Sequence, residues 1–245
     1  MVPRTDPVCE GGPGAGRGRP EVAWIPVTDT AVGVDVGLDH LLTLSTGEKI
    51  ANPRHGRRDR VALARAQRSL ARKAPGDGAN RRKARRKVAK IHARIADRRR
   101  DGLHKLTTRL VRENQTLVIE DLSVRNMVKN RSLAHAISDA AWSEFRSMLE
   151  YKAAWYGREV VAVDRFFPSS KLCSHCGRLA KSMPLHVRTW TCEGCGTVHD
   201  RDVNAAKNLK AAGLAVSVCG AGVRPQRRTP GGQPTTKQKT PRREP

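Results

Sequence analysis

The 245-residue chain has few aromatic residues, few acids relative to its bases, and no long apolar run. Aromatic residues make up 4% of the sequence and hydrophobic residues 38%. A membrane-spanning helix needs roughly 18 or more consecutive apolar residues, so this class of protein is excluded. The stretch up to Pro20 lacks the apolar core of a secretory signal, and six cysteines are too few for a disulfide scaffold. These absences predict an intracellular protein in a reducing compartment.

Positive charge dominates the sequence and is concentrated in one segment. Lys and Arg number 47 against 23 Asp and Glu, a net charge of +24. Residues 54–112 hold 22 Lys and Arg against four Asp, a net +18. After a break at residues 75–78, apolar residues recur at helical spacing, and we therefore expect a basic helical hairpin with its turn near residues 75–79. A solvated charged face is the alternative, but such faces mix both signs, so we expect nucleic-acid backbone contact.

The apolar segments between the polar ends predict an α/β fold. Residues 31–44 alternate Val with Gly and Asp and predict a strand pair, and residues 116–122 and 159–164 predict further strands. Between these two, Ser138-Asp139 precedes apolar residues at helical spacing that continue to Gly157, which predicts a helix. This order is typical of a mixed sheet flanked by helices. Residues 1–30 and 216–245 are rich in Gly, Pro and Arg, and we expect them to be disordered.

Four of the six cysteines have the spacing of a zinc site. Two Cys-x2-Cys pairs are separated by 15 residues, at Cys173, Cys176, Cys192 and Cys195. This spacing is typical of a tetrahedral four-thiolate zinc ribbon, and a redox pair or chance are the alternatives. Four protein ligands leave no open coordination position, so the predicted zinc is structural. We expect the three nearby histidines to lie on the surface or face phosphate, and we assign Cys9 and Cys219 no role.

Three carboxylates occupy places suited to divalent cations. Asp35 interrupts an apolar strand, where an unpaired charge is costly. Glu120 ends a second apolar strand, and Asp202 begins a predicted helix that runs toward Gly213. A turn residue, a strand-end charge and a helix cap are the respective alternatives. If the three converge, they form a site for two divalent ions of the kind that cleaves phosphodiesters.

Five segments of the sequence carry a resemblance to a known family. In chain order they are GVDVGLDHLLTLSTG, LVIEDL, ISDAAWSEFRSMLEYKAAWYG, VVAVDRFFPSSKLCSHCG and CEGCGTVHDRDVNAAKNL. Together they resemble the nuclease half of the TnpB (OrfB) proteins of bacterial insertion sequences and their relatives among type V CRISPR effectors. The resemblance extends over residues 31–214 and implies an RNase H-like (RuvC-type) fold with an inserted zinc ribbon. It also implies a Mg²⁺- or Mn²⁺-dependent DNA endonuclease directed by a guide RNA.

The resemblance also implies roles for individual residues. The family's metal-binding acids fall on Asp35, Glu120 and Asp202, with Asp200 as the weaker choice for the last position and Asp121 without an assigned role. The implied organisation is a nuclease core over residues 31–165, a zinc ribbon over 166–198 and a last nuclease segment over 199–215.

A full TnpB protein carries a recognition lobe ahead of its first nuclease strand, whereas about 30 residues precede Ala31 here. We therefore expect a homodimer or a partner protein that supplies this lobe. The other expected partners are DNA and a guide RNA. The expected location is the bacterial cytoplasm, in association with the nucleoid. A non-catalytic nucleic-acid-binding remnant is the main alternative. A stand-alone zinc-ribbon factor is a third hypothesis, but it does not explain acids within apolar strands.

Overall fold

A computed structural model describes residues 30–75 and 78–218. The segments predicted to be disordered lie outside these ranges, apart from Thr30 and residues 216–218. These last three residues belong to the final helix, which continues to Val218 and so runs past residue 215, where the sequence analysis ends the last nuclease segment. Cys9 and Cys219 also lie outside the described residues. Within the described ranges, no helix combines the length and the hydropathy that crossing a bilayer requires.

A five-stranded mixed sheet forms the centre of the fold. Its spatial order is β3-β2-β1-β4-β5, with β1 antiparallel to β2, β2 antiparallel to β3, and β1, β4 and β5 mutually parallel. The turn between β2 and β3 contains Gly47 at φ 96, a conformation that glycine adopts without strain. The α/β fold with a mixed sheet is therefore confirmed. The strands are β1 (Ala31–Val36), β2 (His40–Leu44), β3 (Lys49–Ala51), β4 (Thr116–Glu120) and β5 (Glu159–Val163).

Helices cover both faces of the sheet. The main core joins β1, β2 and β4 to the end of α2 and to α5, through buried side chains such as Val34, Leu110 and Leu149. On the opposite face Val118 of β4 packs with Leu209 of α6. The helices are α1 (His55–Ala71), α2 (Gly78–Glu113), α3 (Val124–Met127), α4 (Ala134–Ala140), α5 (Trp142–Trp155) and α6 (Arg201–Val218).

Helices α1 and α2 form the hairpin that the sequence predicts. They have a small core of their own, made of Ala66, Ile91 and Ile95, separate from the main core. Arg98 of α2 donates a hydrogen bond of 2.6 Å to the buried Asp59 of α1 and fastens the two helices together. Because α2 has 36 residues, it extends roughly 54 Å at 1.5 Å per residue. Its N-terminal part thus belongs to the hairpin and its C-terminal part to the main core.

The helix predicted after Ser138-Asp139 is two helices in the structure. Ala141 adopts φ 52 between α4 and α5, so Asp139 lies inside α4 and does not begin α5. Both carboxylate oxygens of Asp139 accept hydrogen bonds of 3.0 Å from the backbone N–H of Gly56, and Arg99 donates a third of 2.9 Å. Asp139 therefore binds the start of α1 and the middle of α2 to the core. No local sequence pattern predicts this long-range contact.

Candidate active site and metal centre

The alternation of side chains along two neighbouring strands places Asp35 and Glu120 on the same face of the sheet. Val34 of β1 pairs with Ile119 of the parallel strand β4, and both residues face the main core. Side chains alternate between the two faces, so the next residue along each strand points to the opposite side. Asp35 and Glu120 therefore lie side by side on the face covered by α6, near the carboxyl ends of their strands.

Helix α6 brings Asp202 to the same place because it lies unusually close to β1. A Cβ atom built on Gly33 would come within 2.0 Å of the backbone oxygen of Ala206, so only glycine permits this approach. Asp202 lies in the first turn of α6, above the end of β1. Asp200 has a different role: its Oδ1 accepts a 3.0 Å hydrogen bond from the backbone N–H of Val203. Asp200 thus caps the helix, and Asp202 is free to face outward.

The three acids line one open cleft of about 770 Å³. The cleft lies between the sheet edge, the segment after β5 and the ribbon, and its walls include three cations. Acidic and basic side chains thus line the same cleft, an arrangement that suits a phosphate together with divalent cations. Its lining includes Asp35, Glu120 and Asp202, with Lys171, Arg188 and Arg201.

The carboxylates disturb one another's ionisation. Burial, the charge of Asp202 and the charge of Glu120 together raise the pKa of Asp35 to about 8, although Arg201 opposes this shift. Burial and the neighbouring Asp121 also raise the pKa of Glu120. Asp202 has a cation nearby, since Nη1 of Arg188 lies 3.7 Å from its Oδ1. A cluster of acids with raised pKa values is typical of a site that binds cations.

The three acids offer the oxygen ligands that hard divalent cations prefer. Within the described ranges, the four cysteines are the only group of three or more potential metal-binding side chains whose ligand atoms all lie within 4.8 Å of one another. The carboxylates are therefore not assembled as tightly as the cysteines, but their chemistry fits divalent cations.

Asp121, the acid beside Glu120, points away from the cleft. Its two carboxylate oxygens accept hydrogen bonds of 2.5 Å from Arg146 and 2.5 Å from Arg165. These hydrogen bonds lower the pKa of Asp121. Asp121 therefore fastens the segment after β5 to helix α5, and its oxygens are already occupied.

The four cysteines form a compact cluster. Sγ of Cys173 lies 3.7 Å from Sγ of Cys195, and Sγ of Cys176 lies 3.6 Å from Sγ of Cys192. Four sulfurs at about 2.3 Å from a tetrahedral zinc ion are separated by roughly 3.8 Å, so the donor set fits zinc. Thr197 lowers the pKa of Cys195 to about 6 through its hydroxyl and backbone, which favours the thiolate that binds metal.

Each cysteine pair lies in a knuckle that glycine completes. Gly177 and Gly196 adopt φ 73 and φ 71, and their backbone N–H groups donate hydrogen bonds of 2.9 Å and 2.8 Å back to the first cysteine of each pair. The second knuckle connects β6 (Thr189–Thr191) to the antiparallel β7 (Val198–Asp200). These turns aim both sulfurs of a pair at one point, as in a zinc ribbon.

The expectation that His199 lies on the surface or faces phosphate is wrong. His199 is buried, and its Nε2 lies 3.0 Å from Sγ of Cys173. Its ring packs on Trp190, with centroids 4.9 Å apart. The pairing of β6 with β7 explains the position of His199, because it places His199 opposite Trp190. A histidine N–H there supports the charge of the thiolate from outside the ligand set. His175 and His186 are exposed, as expected.

Two asparagines that the sequence analysis did not single out attach the ribbon to α6. Asn204 accepts a 2.9 Å hydrogen bond from the backbone N–H of Ser174 and donates one of 2.7 Å to the carbonyl of Leu172. Asn208, one turn further on, donates hydrogen bonds of 2.8 Å to Ser169 and 2.6 Å to Leu172. Both asparagines are buried. Their i, i+4 spacing, which places both side chains on one face of a helix, is the sequence feature that could have identified them.

The outer part of the hairpin carries positive charge without acidic partners. Within the described ranges, every cation of α1 and α2 that forms an ion pair lies in α2 between Arg94 and Arg109. No carboxylate of the described residues lies within 4.0 Å of the cations between residues 57 and 90. Most of these cations are exposed. A row of unpaired, exposed cations is a surface that binds phosphates through counterion release.

Comparison with known proteins finds family models that match two parts of the chain. The family model OrfB_IS605, described as "Probable transposase", matches residues 24–131, and a second model, the Cas12f1-like TNB domain, matches residues 142–209. Over these residues the chain is similar to the TnpB/OrfB group that its motifs resemble.

Individual relatives agree with this similarity. A "Putative RNA-guided DNA endonuclease" of Streptomyces pristinaespiralis is 69% identical over 202 residues, which is 82% of this chain and 50% of that protein. "Putative RNA-guided DNA endonuclease InsQ" of Escherichia coli is 37% identical over 77% of this chain and 50% of that protein. The chain thus spans about half the length of these curated relatives.

A solved structure shares the fold at low sequence identity. One chain of a Cas12f1-sgRNA-target DNA complex aligns with a TM-score of 0.55 and 18% identity, over 76% of this chain and 50% of that chain. At this identity the likeness concerns the fold alone.

Proposed function

We propose that this chain is the catalytic half of an RNA-guided DNA endonuclease, with an RNase H-like (RuvC-type) centre that cleaves phosphodiester bonds. The observation that carries the proposal is the convergence of Asp35, Glu120 and Asp202, from β1, β4 and α6, on one cleft. The curated relatives are named as RNA-guided DNA endonucleases, which supports DNA and a guide RNA as partners.

In this proposal the three carboxylates hold two Mg²⁺ or Mn²⁺ ions, and the four cysteines hold one structural Zn²⁺. The divalent pair would supply activation of a water for in-line attack on the phosphate and stabilisation of the leaving 3′ oxygen. When cations bind, Asp35 loses the proton that it holds in their absence because of its raised pKa. Arg188 and Arg201 at the cleft rim orient the negatively charged phosphate over the acids. Rigid strands on one side and α6 on the other hold the acids in register.

The hairpin provides affinity without sequence preference. Its cations contact the sugar-phosphate backbone, so binding should weaken steeply with salt. A matched pair of variants tests this role: Arg85, Arg86 and Lys87 changed to Gln at the outer part, against Lys105→Gln, whose cation is already paired with Asp101. Removing three phosphate contacts should lower the slope of log affinity against log salt by roughly 2–3, and the control should leave it unchanged.

Cleavage of single-stranded and duplex DNA in Mg²⁺ or Mn²⁺ tests the catalytic proposal. Purified full-length chain should be assayed with and without the RNA that co-purifies with it. Asp35→Ala and Glu120→Ala should each reduce cleavage by about 100-fold or more, since each removes an oxygen ligand. Asp200→Asn is the matched control, because asparagine also caps helices and Asp200 does not line the cleft.

The outcomes separate the two candidate functions. Cleavage that disappears in both carboxylate variants and persists in the control supports the proposed centre. Cleavage that survives Asp35→Ala contradicts it. The hairpin alone supports a second candidate, a non-catalytic nucleic-acid-binding protein. An absence of cleavage under every condition, together with salt-sensitive binding, would favour that candidate.

A further inference from the structure

The two most exposed large apolar side chains of the described residues lie in the carboxylate cleft. Phe166 is 85% exposed and Leu185 is 81% exposed, and both line the cleft that contains Asp35, Glu120 and Asp202. A single exposed apolar side chain on a surface needs no explanation. Two of them, on separate segments but in one charged cleft, indicate a contact with a ligand that has an apolar face.

The backbone holds Phe166 in this outward position. The carboxylate of Asp164 accepts a 2.8 Å hydrogen bond from the backbone N–H of Phe166, and the carbonyl of Asp164 accepts one of 3.0 Å from the N–H of Phe167. Phe167 turns inward and packs beside Val118, while Arg165 is bound to Asp121. Phe166 is therefore presented by a turn anchored on both sides. Binding against it costs little ordering entropy.

The chemistry around Phe166 selects among possible occupants. An apolar protein surface placed there would offer no polar partner to the nearby acids or to the cations Lys171 and Arg201, and burying such charges is costly. A nucleotide avoids this conflict, because its base has a flat apolar face and its phosphate matches the cations. The distribution of apolar and charged groups in the cleft thus fits a nucleotide whose base is not stacked in a duplex.

We propose that Phe166, with Leu185 of the same cleft, forms a nucleobase-binding subsite that holds an unstacked base beside the phosphate to be cleaved. The base stacks on the ring of Phe166, and Leu185 covers its other side or edge. Stacking of this kind tolerates any base, since every base has a π-face. The subsite positions a strand and takes no part in chemistry. It rests on the proposed function in one respect, namely that the strand it holds is the substrate.

Binding in metal-free buffer tests the subsite without cleavage. The probes are an eight-nucleotide oligothymidylate and an abasic tetrahydrofuran octamer, which carry the same phosphates, measured at about 200 mM salt to suppress the hairpin contribution. The full-length chain should bind the base-bearing strand about 5- to 100-fold more tightly, the range expected for one stacked base. Phe166→Ala should remove most of this ratio, and Phe166→Trp should keep it.

Trp155→Ala is the matched control, because Trp155 is an exposed aromatic residue outside the cleft, 63% exposed at the end of α5. Equal affinities of the wild-type chain for both probes would overturn the proposal. A ratio unchanged in Phe166→Ala, or lost equally in Trp155→Ala, would also overturn it and leave the apolar pair to a protein contact. Base preference without cleavage would refute the proposed function alone, whereas cleavage without base preference would refute the subsite alone.

Discussion

Replacing Asp35 by Asn should stabilise the protein in metal-free buffer, because Asp35 is a buried acid beside two other carboxylates and this placement opposes folding. Asp35 shares the cleft with Glu120 and Asp202, and burial together with their charges raises its pKa to about 8 from an ordinary 3.8. Without cations, the folded chain must either keep a proton on Asp35 or place a third negative charge in the cluster. Asparagine has nearly the same shape and does neither.

The size of the effect follows from proton linkage. Holding a proton at pH 7 on a group with an unfolded pKa of 3.8 costs roughly 4 kcal/mol at 1.36 kcal/mol per pH unit. This figure is an upper bound, and relaxation of the site should reduce it to about half. Between the two pKa values, the folded state binds a proton that the unfolded state lacks, so wild-type stability falls as pH rises. The advantage of Asp35→Asn should therefore grow from about 1 kcal/mol at pH 5 to about 3 kcal/mol at pH 8.

Thermal unfolding in buffers free of Mg²⁺ and Mn²⁺ measures this difference. For a domain of this size, 3 kcal/mol corresponds to a Tm increase of about 6–12 °C. Asp39→Asn is the control, because Asp39 lies at the same cleft but is exposed and paired with Arg188 and Arg54. Adding Mg²⁺ should raise the Tm of the wild type more than that of Asp35→Asn. A variant that is less stable than wild type at pH 8, or a gap independent of pH, would refute this reasoning.

Three further predictions concern packing. Gly33→Ala should lower the Tm by about 5 °C or more and abolish cleavage, since the Cβ atom of the alanine would lie 2.0 Å from the backbone of α6. Gly78→Ala is the control and should leave both unchanged, because a Cβ atom there has no neighbour within 4 Å. Asn204→Ala should speed the loss of zinc to a chromogenic chelator, because the first knuckle loses two hydrogen bonds; an unchanged rate would contradict this. Asp139→Ala should destabilise the fold by about 2–4 kcal/mol in urea unfolding, compared with under 1 kcal/mol for the exposed Asp101→Ala.

Local patterns were sufficient to predict much of this fold. The strands around Asp35 and Glu120 are short apolar runs, and the hairpin follows from helical spacing interrupted at one Pro-Gly break. The cysteine cluster follows from ligand spacing, because a Cys-x2-Cys knuckle is itself a local structure. In each case, a few neighbouring residues determine the outcome and no distant contact is needed.

The features that could not be predicted depend on contacts between distant segments. Asp139 looked like the start of a helix, but it binds residues some 40 and 83 positions earlier, and Ala141 breaks the helix. His199 looked like a surface residue, because its burial depends on the register of the ribbon strands. The different exposures of the neighbouring residues Phe166 and Phe167 are likewise not predictable from sequence, since Phe167 is partly buried by contacts with a cluster that includes Leu209 of α6.

Helix α6 explains why residues with different roles lie so close together between Asp200 and Ala206. Every second residue of this segment contacts a different part of the molecule. Asp200 caps the helix, Asp202 faces the cleft, and Asn204 holds the first zinc knuckle. The backbone of Ala206 then rests on Gly33 of β1. Because these contacts occupy consecutive turns of one rigid helix, the ribbon and the sheet jointly fix the position of Asp202 relative to Asp35. Through Asn204, the four-cysteine ribbon thereby contributes to the geometry of a cleft that its cysteines do not line.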